Sequence, residues 1–429
     1  MITVIRSAWA LLLGMFLLQI GNGLQGSLMG VRGAIEGFTT FELSLIGSAY
    51  FIGFLGGSSL APKFIARVGH VRVFAALGSF ISAIVISYPI VTDPYAWMLL
   101  RVGIGFSLSG VYVTAESWLN NSATNETRGQ SLSAYMLMQM FGLVAAQGIL
   151  AVGDPSGWIL FVIPSILVSL SFAPILLSAT PTPAIEETRS MSLRQLYDAS
   201  PFASISMLLM GSVFAGQFAM SAVYATEAGL TVPQLSAFVS AIFVGAIVLQ
   251  YPIGWFSDRM DRRILIVGAS ALGSVVAIVG MIFGHSFSVL LVVAALSGGL
   301  AQPLYALIIA YINDYLDPAD MAAASGGMIF VNGIGAISGP PLMGLLMGYF
   351  GAAGFWLFLA VILAIMAAYG LFRMTQSISP YKEEDDYMAV PYANLMPGTA
   401  SPVAVEAAQE YYAETAEEMA SETEDEPRP

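Results

Sequence analysis

Only 10% of this 429-residue chain is charged, yet Asp258, Arg259, Asp261, Arg262 and Arg263 crowd into six positions between two apolar runs. A carboxylate in such a loop can face the free N–H groups and positive dipole at a helix start. Guanidinium groups beside it can hold acids at neighbouring helix ends. Enforcement of topology by charge explains the same loop equally well. The second set with chemical potential is polar residues embedded in apolar runs. Arg101 and Glu116 are the ionisable ones, fifteen positions apart, which on a helix brings them within about 60° of one face. Ser109 and Tyr112 lie between them. Glu116 has two readings: a structural acid paired with Arg67, Arg72 or Arg128, or a desolvated acid that takes up a proton. Arg101 either hydrogen-bonds carbonyls of the first helix or holds an anionic group of a solute.

Uncharged polar residues form further stripes: Gln19, Asn22 and Gln25; Tyr135, Gln139 and Gln147; Gln217, Ser221 and Tyr224; Gln302 and Tyr305 around Pro303. Each stripe by itself is explained by hydrogen bonding between helices, worth about 0.6 kcal/mol in a membrane. Amides and phenols among Met and Phe suit a mid-sized, weakly charged or amphipathic small-molecule substrate. No nucleophile–base pair, phosphate-binding loop or metal-ligand cluster is spelled out, so an enzyme, an ATP-driven pump, a cofactor and a metal site are not expected. The absence of cysteine excludes disulfides and cysteine-ligated metals. His70 and His285 fall in expected loops and receive no role. Asp314, Asp317 and Asp320, with Pro318, read as a turn and a cap for the following helix.

A lipid bilayer must position these residues. Mean hydropathy is +0.77, 57% of residues are hydrophobic and there are 43 glycines, more apolar surface than one soluble core can hide. Twelve apolar stretches are long enough to cross a membrane, at about 20 residues each. With the N-terminus inside, thirteen of the fifteen Lys and Arg fall on the cytoplasmic side, so both termini are expected in the cytoplasm of a bacterial-type inner (plasma) membrane. The first stretch reads as an uncleaved helix, not a signal peptide. From residue 381 onward, thirteen acids stand against Lys382 and Arg428, leaving the rest of the chain near neutral. This tail reads as disordered and solvated.

The stretch from Ser48 aligns without gaps with that from Ser240, matching Ala49, Phe51, Gly53 and Arg67 to Ala241, Phe243, Gly245 and Arg259. Two like halves place a site between them. The expected organisation is a six-helix bundle over 1–178, a linker over 179–200, a second bundle over 201–378 and the acidic tail over 379–429.

The segment Gly254-x-x-x-Asp258-Arg259-x-x-Arg262-Arg263 resembles the G-x-x-x-D-R-x-G-R-R loop of the major facilitator superfamily, with Asp261 in place of the second glycine. The first-half copy keeps Arg67, Gly69 and Arg72 but has Pro62 and Ala66 where Gly and Asp belong. Arg101-x-x-x-Gly105 resembles the fourth-helix motif of that superfamily. Gly335-x-x-x-Gly339-Pro340 resembles its antiporter motif but stands in the eleventh helix, so it does not identify an antiporter. Ala115–Met136 looks like the YcaD-type branch.

The resemblance implies an all-α membrane protein of twelve helices in two six-helix bundles. It also implies a cavity lined by helices one, four, seven and ten, hence by Gln19, Asn22, Gln25, Arg101, Tyr112, Gln217, Tyr224, Gln302 and Tyr305, with Gln139 added from the fifth. Glu116 is the candidate for proton coupling. Arg67, Arg72, Arg128, Gly254, Asp258, Arg259, Arg262 and Arg263 are expected at the cytoplasmic latch, with Asp258 capping the start of the fifth helix near Gly129. The expected function is secondary active transport of a small solute by a monomer, with protons as coupling ion and no nucleic-acid partner. The rival is a membrane sensor or scaffold acting through the acidic tail.

Overall fold

The computed structural model describes residues 2–122, 125–176, 191–316 and 318–376. The chain runs as α1 (Ile2–Ile35), α2 (Thr40–Val68), α3 (His70–Ser87), α4 (Pro94–Ser122), α5 (Asn125–Val152), α6 (Ile159–Leu176), α7 (Leu193–Ala199), α8 (Pro201–Glu227), α9 (Val232–Ser257), α10 (Arg262–Phe283), α11 (Phe287–Ala301), α12 (Leu304–Asn313), α13 (Pro318–Phe350) and α14 (Ala353–Met374). Among the described residues eleven helices are long and apolar enough to cross a membrane, α11 and α12 counting together as one span, Phe287–Asn313. The apolar part of α6, Ile159–Pro174, falls short of that measure, so the twelve expected spans become eleven plus one shorter helix. Leu99, Val248, Leu272, Val292 and Leu371 are exposed on the outer faces, a surface that lipid covers and water would not.

Local chemistry sets the helix ends. Thr39 and Glu42 form a reciprocal capping box at α2, and Thr231 and Gln234 do so at α9. Ser200 caps α8, with Pro201 in its first turn. The tenth span, expected to be continuous over residues 286–310, is instead interrupted at Gln302 and Pro303. Proline has no N–H to donate and its ring crowds the carbonyl four residues back.

Glycine lets helices touch backbone to backbone. A Cβ on Gly53 would fall 1.9 Å from the Val102 carbonyl oxygen, and one on Gly105 1.9 Å from that of Tyr50, so α2 and α4 meet with nothing between them. The second half repeats this crossing, where Gly245 faces the Ala295 oxygen at 1.8 Å and Gly298 the Ile242 oxygen at 2.1 Å. Gly53 and Gly245 are the residues matched in the sequence repeat.

The halves meet most closely at the end that carries the α1–α2 and α8–α9 turns. There a Cβ on Gly30 would meet Ala222 Cβ at 2.9 Å, one on Gly47 would meet Ala219 Cβ at 2.6 Å, and one on Gly344 would meet Ser44 Cβ at 2.4 Å. The Thr40 hydroxyl donates to Glu227, and the Ser48 hydroxyl to the Ile337 carbonyl. At the opposite end, α4 and α12 make at most slight contact among the described residues. There α7 docks on the second half: Met191 N–H donates to the Ala323 carbonyl at 2.8 Å, and buried Leu196 occupies the space above Gly327.

The charged loop is used locally. Asp261 caps α10, accepting from Arg263 N–H at 2.8 Å. Arg262 pairs with Asp314, the residue that ends α12, so this acid ties α10 to α12 as well as marking the turn. Asp320 lies in the first turn of α13, as expected; Asp317 lies outside the described residues. Arg259 lies over the Trp255 ring at 4.1 Å and donates to the Trp255 carbonyl at 3.1 Å. Arg263 is almost wholly buried. Asp258 ends α9, and its Oδ1 is buried without a hydrogen-bond partner. Desolvation raises the Asp258 carboxyl above the usual range, opposed by Arg262 and Arg259. In the first half, Arg67 and Arg72 are exposed. His70, expected in a loop, instead opens α3, is buried and stacks on Trp118 at 6.3 Å. The side chains of Arg128 and Gly129 and the acidic tail lie outside what is described.

Candidate substrate-binding site

A pocket lies between the halves. From the first half it is lined by Gly23, Gly26 and Ser27 of α1 and by Leu143 and Gln147 of α5. The second half contributes Gln217, Phe218 and Ser221 of α8, Val239, Ile242 and Phe243 of α9, and Gln302 at the break between α11 and α12. Its walls are largely apolar, and its polar side chains are the amides of Gln147, Gln217 and Gln302 and the hydroxyls of Ser27 and Ser221. Gln147, Gln217 and Gln302 are each at most 4% exposed. Both amide atoms of Gln147, the Oε1 of Gln217 and the Oε1 of Gln302 have no hydrogen-bond partner. Gln217 Nε2 donates to Ser297 Oγ at 3.2 Å, which fixes that amide. Buried polar atoms are nearly always satisfied, because leaving one bare costs about 1–3 kcal/mol. Four amide atoms without a protein hydrogen-bond partner thus belong to three residues that line the same pocket.

The other expected cavity residues distribute around this pocket. Gln19, Asn22, Tyr112 and Gln139 form a network inside the first half. Gln19 Nε2 donates to Gln139 at 3.0 Å, while Tyr112 OH and Asn22 Nδ2 donate to Gln19 Oε1 at 2.8 and 3.3 Å. Tyr135 OH donates to Glu116 Oε1 at 3.1 Å on the same side of α5 as Gln139, one turn away. Arg101 donates to Gln25 and lies 5.0 Å from the Tyr50 ring centroid. Tyr305 lines a separate pocket with Phe51, Phe54 and Asn332. Tyr224 lies apart from both pockets, stacked on Phe355 at 4.7 Å and edge-on to Trp356 at 5.6 Å.

Gln147 was visible in the sequence as a polar residue in an apolar run but stood outside the expected cavity set. Gly23, Gly26 and Ser27 were missed altogether. Their signal is a small-residue face on α1 beside the Gln19–Asn22–Gln25 stripe.

Two packed sets of membrane helices, sealed together at one end around an amide-lined pocket, define a multi-pass membrane transporter that binds a small molecule. Comparison with known proteins agrees. The family model for the Major Facilitator Superfamily matches residues 11–243 and 202–391. Over 358 residues the chain is 23% identical to an uncharacterized MFS-type transporter, YcaD, of Salmonella arizonae, covering 81% of this chain and 90% of that one. It is 25% identical over 353 residues to an uncharacterized MFS-type transporter of Yersinia pestis, covering 80% and 89%. In structure it resembles a variant of the nucleoside transporter NupG, with TM-score 0.72 at 16% identity over 85% of this chain and 99% of that one. It also resembles a bacterial homologue of the human lysosomal transporter Spinster in an inward-facing, unoccupied conformation, with TM-score 0.64 at 14% identity over 96% and 97%. The chain belongs to the major facilitator superfamily and is a secondary transporter.

Proposed function

We propose that this protein carries a small solute across a bacterial inner membrane by alternating access, as a monomer without nucleic-acid partners, and that protons drive it. The observation behind this reading is the set of bare amide atoms on Gln147, Gln217 and Gln302, drawn from both halves into one pocket. A site shared between halves is opened to either side when the halves rock. The halves correspond to residues 1–178 and 201–378, joined by the linker over 179–200. Basic residues gather on the side of the N- and C-termini, which makes that side cytoplasmic. The sealed end, with Thr40 and Glu227, is then the outer one, and the conformation is inward-facing.

The chain has no cysteine, so single-cysteine variants report accessibility against a clean background. In right-side-out vesicles, Gln217→Cys and Gln302→Cys are expected to react with a membrane-permeant maleimide. An impermeant maleimide should reach them from outside only after the Thr40–Glu227 end opens. Cysteines unreactive to either reagent under all conditions would reject the pocket as the transported site.

The latch is assigned to Asp258, braced by Arg259, Arg262 and Arg263. In the inward-facing state its Oδ1 is bare and its carboxyl is raised by burial. The opposite state relieves that cost by bringing the charge to the free N–H groups at the start of α5. Protonation therefore favours the present state: that preference is present at low pH and is lost as pH rises through the raised Asp258 titration. Asp258→Asn should behave as the permanently neutral form, increasing cytoplasmic labelling of Gln302→Cys and removing its pH dependence. Unchanged labelling would leave the loop with a topological role alone.

Glu116 is assigned as the proton carrier. It is buried in α4 and receives the Tyr135 hydroxyl from α5. In proteoliposomes containing a pH-sensitive dye, a compound that raises the melting temperature should drive proton movement through the wild type. Glu116→Gln should abolish that movement while preserving binding. Proton movement that survives in Glu116→Gln would place coupling elsewhere.

A further inference from the structure

We propose that the pocket selects organic anions, with Arg101 holding the negative group across the gap left by Gly26. This deepens the reading of the pocket as the transported site and rests on it. Arg101 is 2% exposed. Its guanidinium donates to the Gln25 side chain and lies over the Tyr50 ring, while its Nε is buried without a partner. Among the described residues no carboxylate forms an ion pair with it. Glu116, the acid on the same helix, is about 22 Å away along the axis. A cation buried without a counter-ion is costly, and amides or an aromatic face offset only part of that cost. The structure leaves a route by which a ligand can supply the missing charge.

That route is Gly26. A Cβ placed there would lie 3.8 Å from Arg101 Nη2 and 4.0 Å from Phe218 Cζ. Gly26 and Phe218 both line the pocket between the halves. Gly26, with no side chain, therefore stands between the guanidinium of the first half and the aromatic wall of the second, and it lines the pocket where Arg101 itself does not. Alanine would sit there at ordinary contact distance, whereas valine or leucine would fill the gap. Beyond it, Phe218, Val239, Ile242 and Phe243 form an apolar wall, and the bare amides of Gln147, Gln217 and Gln302 offer hydrogen bonds. The complementary solute is a carboxylate or comparable monoanion attached to a flat or apolar body that carries one or two polar groups. A charge-assisted contact to a planar guanidinium also explains why arginine suits this position better than lysine.

The test uses the full-length protein in detergent at pH 8 with matched acid and amide pairs: phenylacetate and phenylacetamide, 3-phenylpropionate and 3-phenylpropanamide, hippurate and hippuramide. Binding is read by thermal shift and by tryptophan fluorescence titration. At least one acid is expected to bind about tenfold or more tightly than its amide, a difference typical of one charge-assisted hydrogen bond. Gly26→Val and Arg101→Gln should remove the preference and Gly26→Ala should keep it. Gln217→Ala should weaken acid and amide alike. Should Arg101→Gln fail to fold, Gly26→Val alone carries the comparison. Amides that bind as well as acids, or a preference that survives in Gly26→Val, would overturn the anion assignment. The pocket would still stand if Gln217→Ala weakened both members. If no acid binds, the anion assignment falls, and thiol labelling at Gln217 and Gln302 decides the pocket independently.

Discussion

Leucine in place of Gly245 is expected to leave no folded, monodisperse protein after detergent extraction, and Gly53→Leu is expected to do the same. At both positions even a methyl group would fall far inside the contact distance to a carbonyl oxygen on the facing helix, at 1.8 and 1.9 Å. Backbone cannot step aside as a flexible side chain does, so α9 must separate from α11, or α2 from α4. Separation forfeits dispersion contacts along the whole crossing, and in a membrane close packing is the main force joining helices. The cost should exceed about 3 kcal/mol, the upper end of ordinary overpacking. Gly254→Ala is the control. A Cβ at Gly254 meets nothing within 4 Å, so the fold should tolerate it. Fluorescence-detected size exclusion and melting curves separate the cases. A well-behaved Gly245→Leu protein would show that the crossing is looser than described. Any transport defect in stably folded Gly254→Ala would then belong to the opposite conformation, where this loop glycine meets the other half.

Gln217→Ala and Gln302→Ala carry the second large effect, and its two parts point in opposite directions. Ligand affinity should fall about ten- to a hundredfold for each, because each removes a hydrogen bond supplied in a pocket with largely apolar walls. The unliganded protein should melt no earlier than wild type, and for Gln302→Ala it should melt slightly later. The Oε1 atoms of both residues are buried without partners, so truncation removes an unpaid desolvation cost of about 1–3 kcal/mol. Gln217 also loses its bond to Ser297, which offsets part of that gain. Lost binding together with retained or improved stability is the signature of a group placed for a ligand. A simple loss of melting temperature with unchanged affinity would instead mark both amides as links between helices.

Particular residues show where sequence reasoning reached and where it stopped. Composition alone required a bilayer, and the asymmetry of Lys and Arg supports the proposed orientation in it. The gapless match from Ser48 to Ser240 exposed a duplicated half, and in the structure its matched glycines, Gly53 and Gly245, prove to be equivalent backbone contacts. The tenth span was expected to be continuous, and the helix instead breaks at Gln302 and Pro303. These features follow from local rules: hydrophobic length, charge bias and proline geometry act within one helix or one loop.

Helical period also placed Gln217, Ser221 and Tyr224 on one stripe. It could not show that the first two face the pocket while Tyr224 turns into an aromatic cluster with Phe355 and Trp356. The same limit applied to Gln147, whose place depends on how α5 meets α9, and to His70, whose burial depends on Trp118 from another helix. The sequence by itself therefore determined the solvent, the repeat and the inventory of polar groups. Tertiary structure alone decided which amides meet, which lose their partners, and that Gly26 leaves Arg101 in reach of Phe218. The physical reason is that a helix fixes only the angular spacing of its own side chains. Its rotation and depth against its neighbours come from contacts between residues far apart in the chain, such as Gly30 with Ala222 and Gly47 with Ala219.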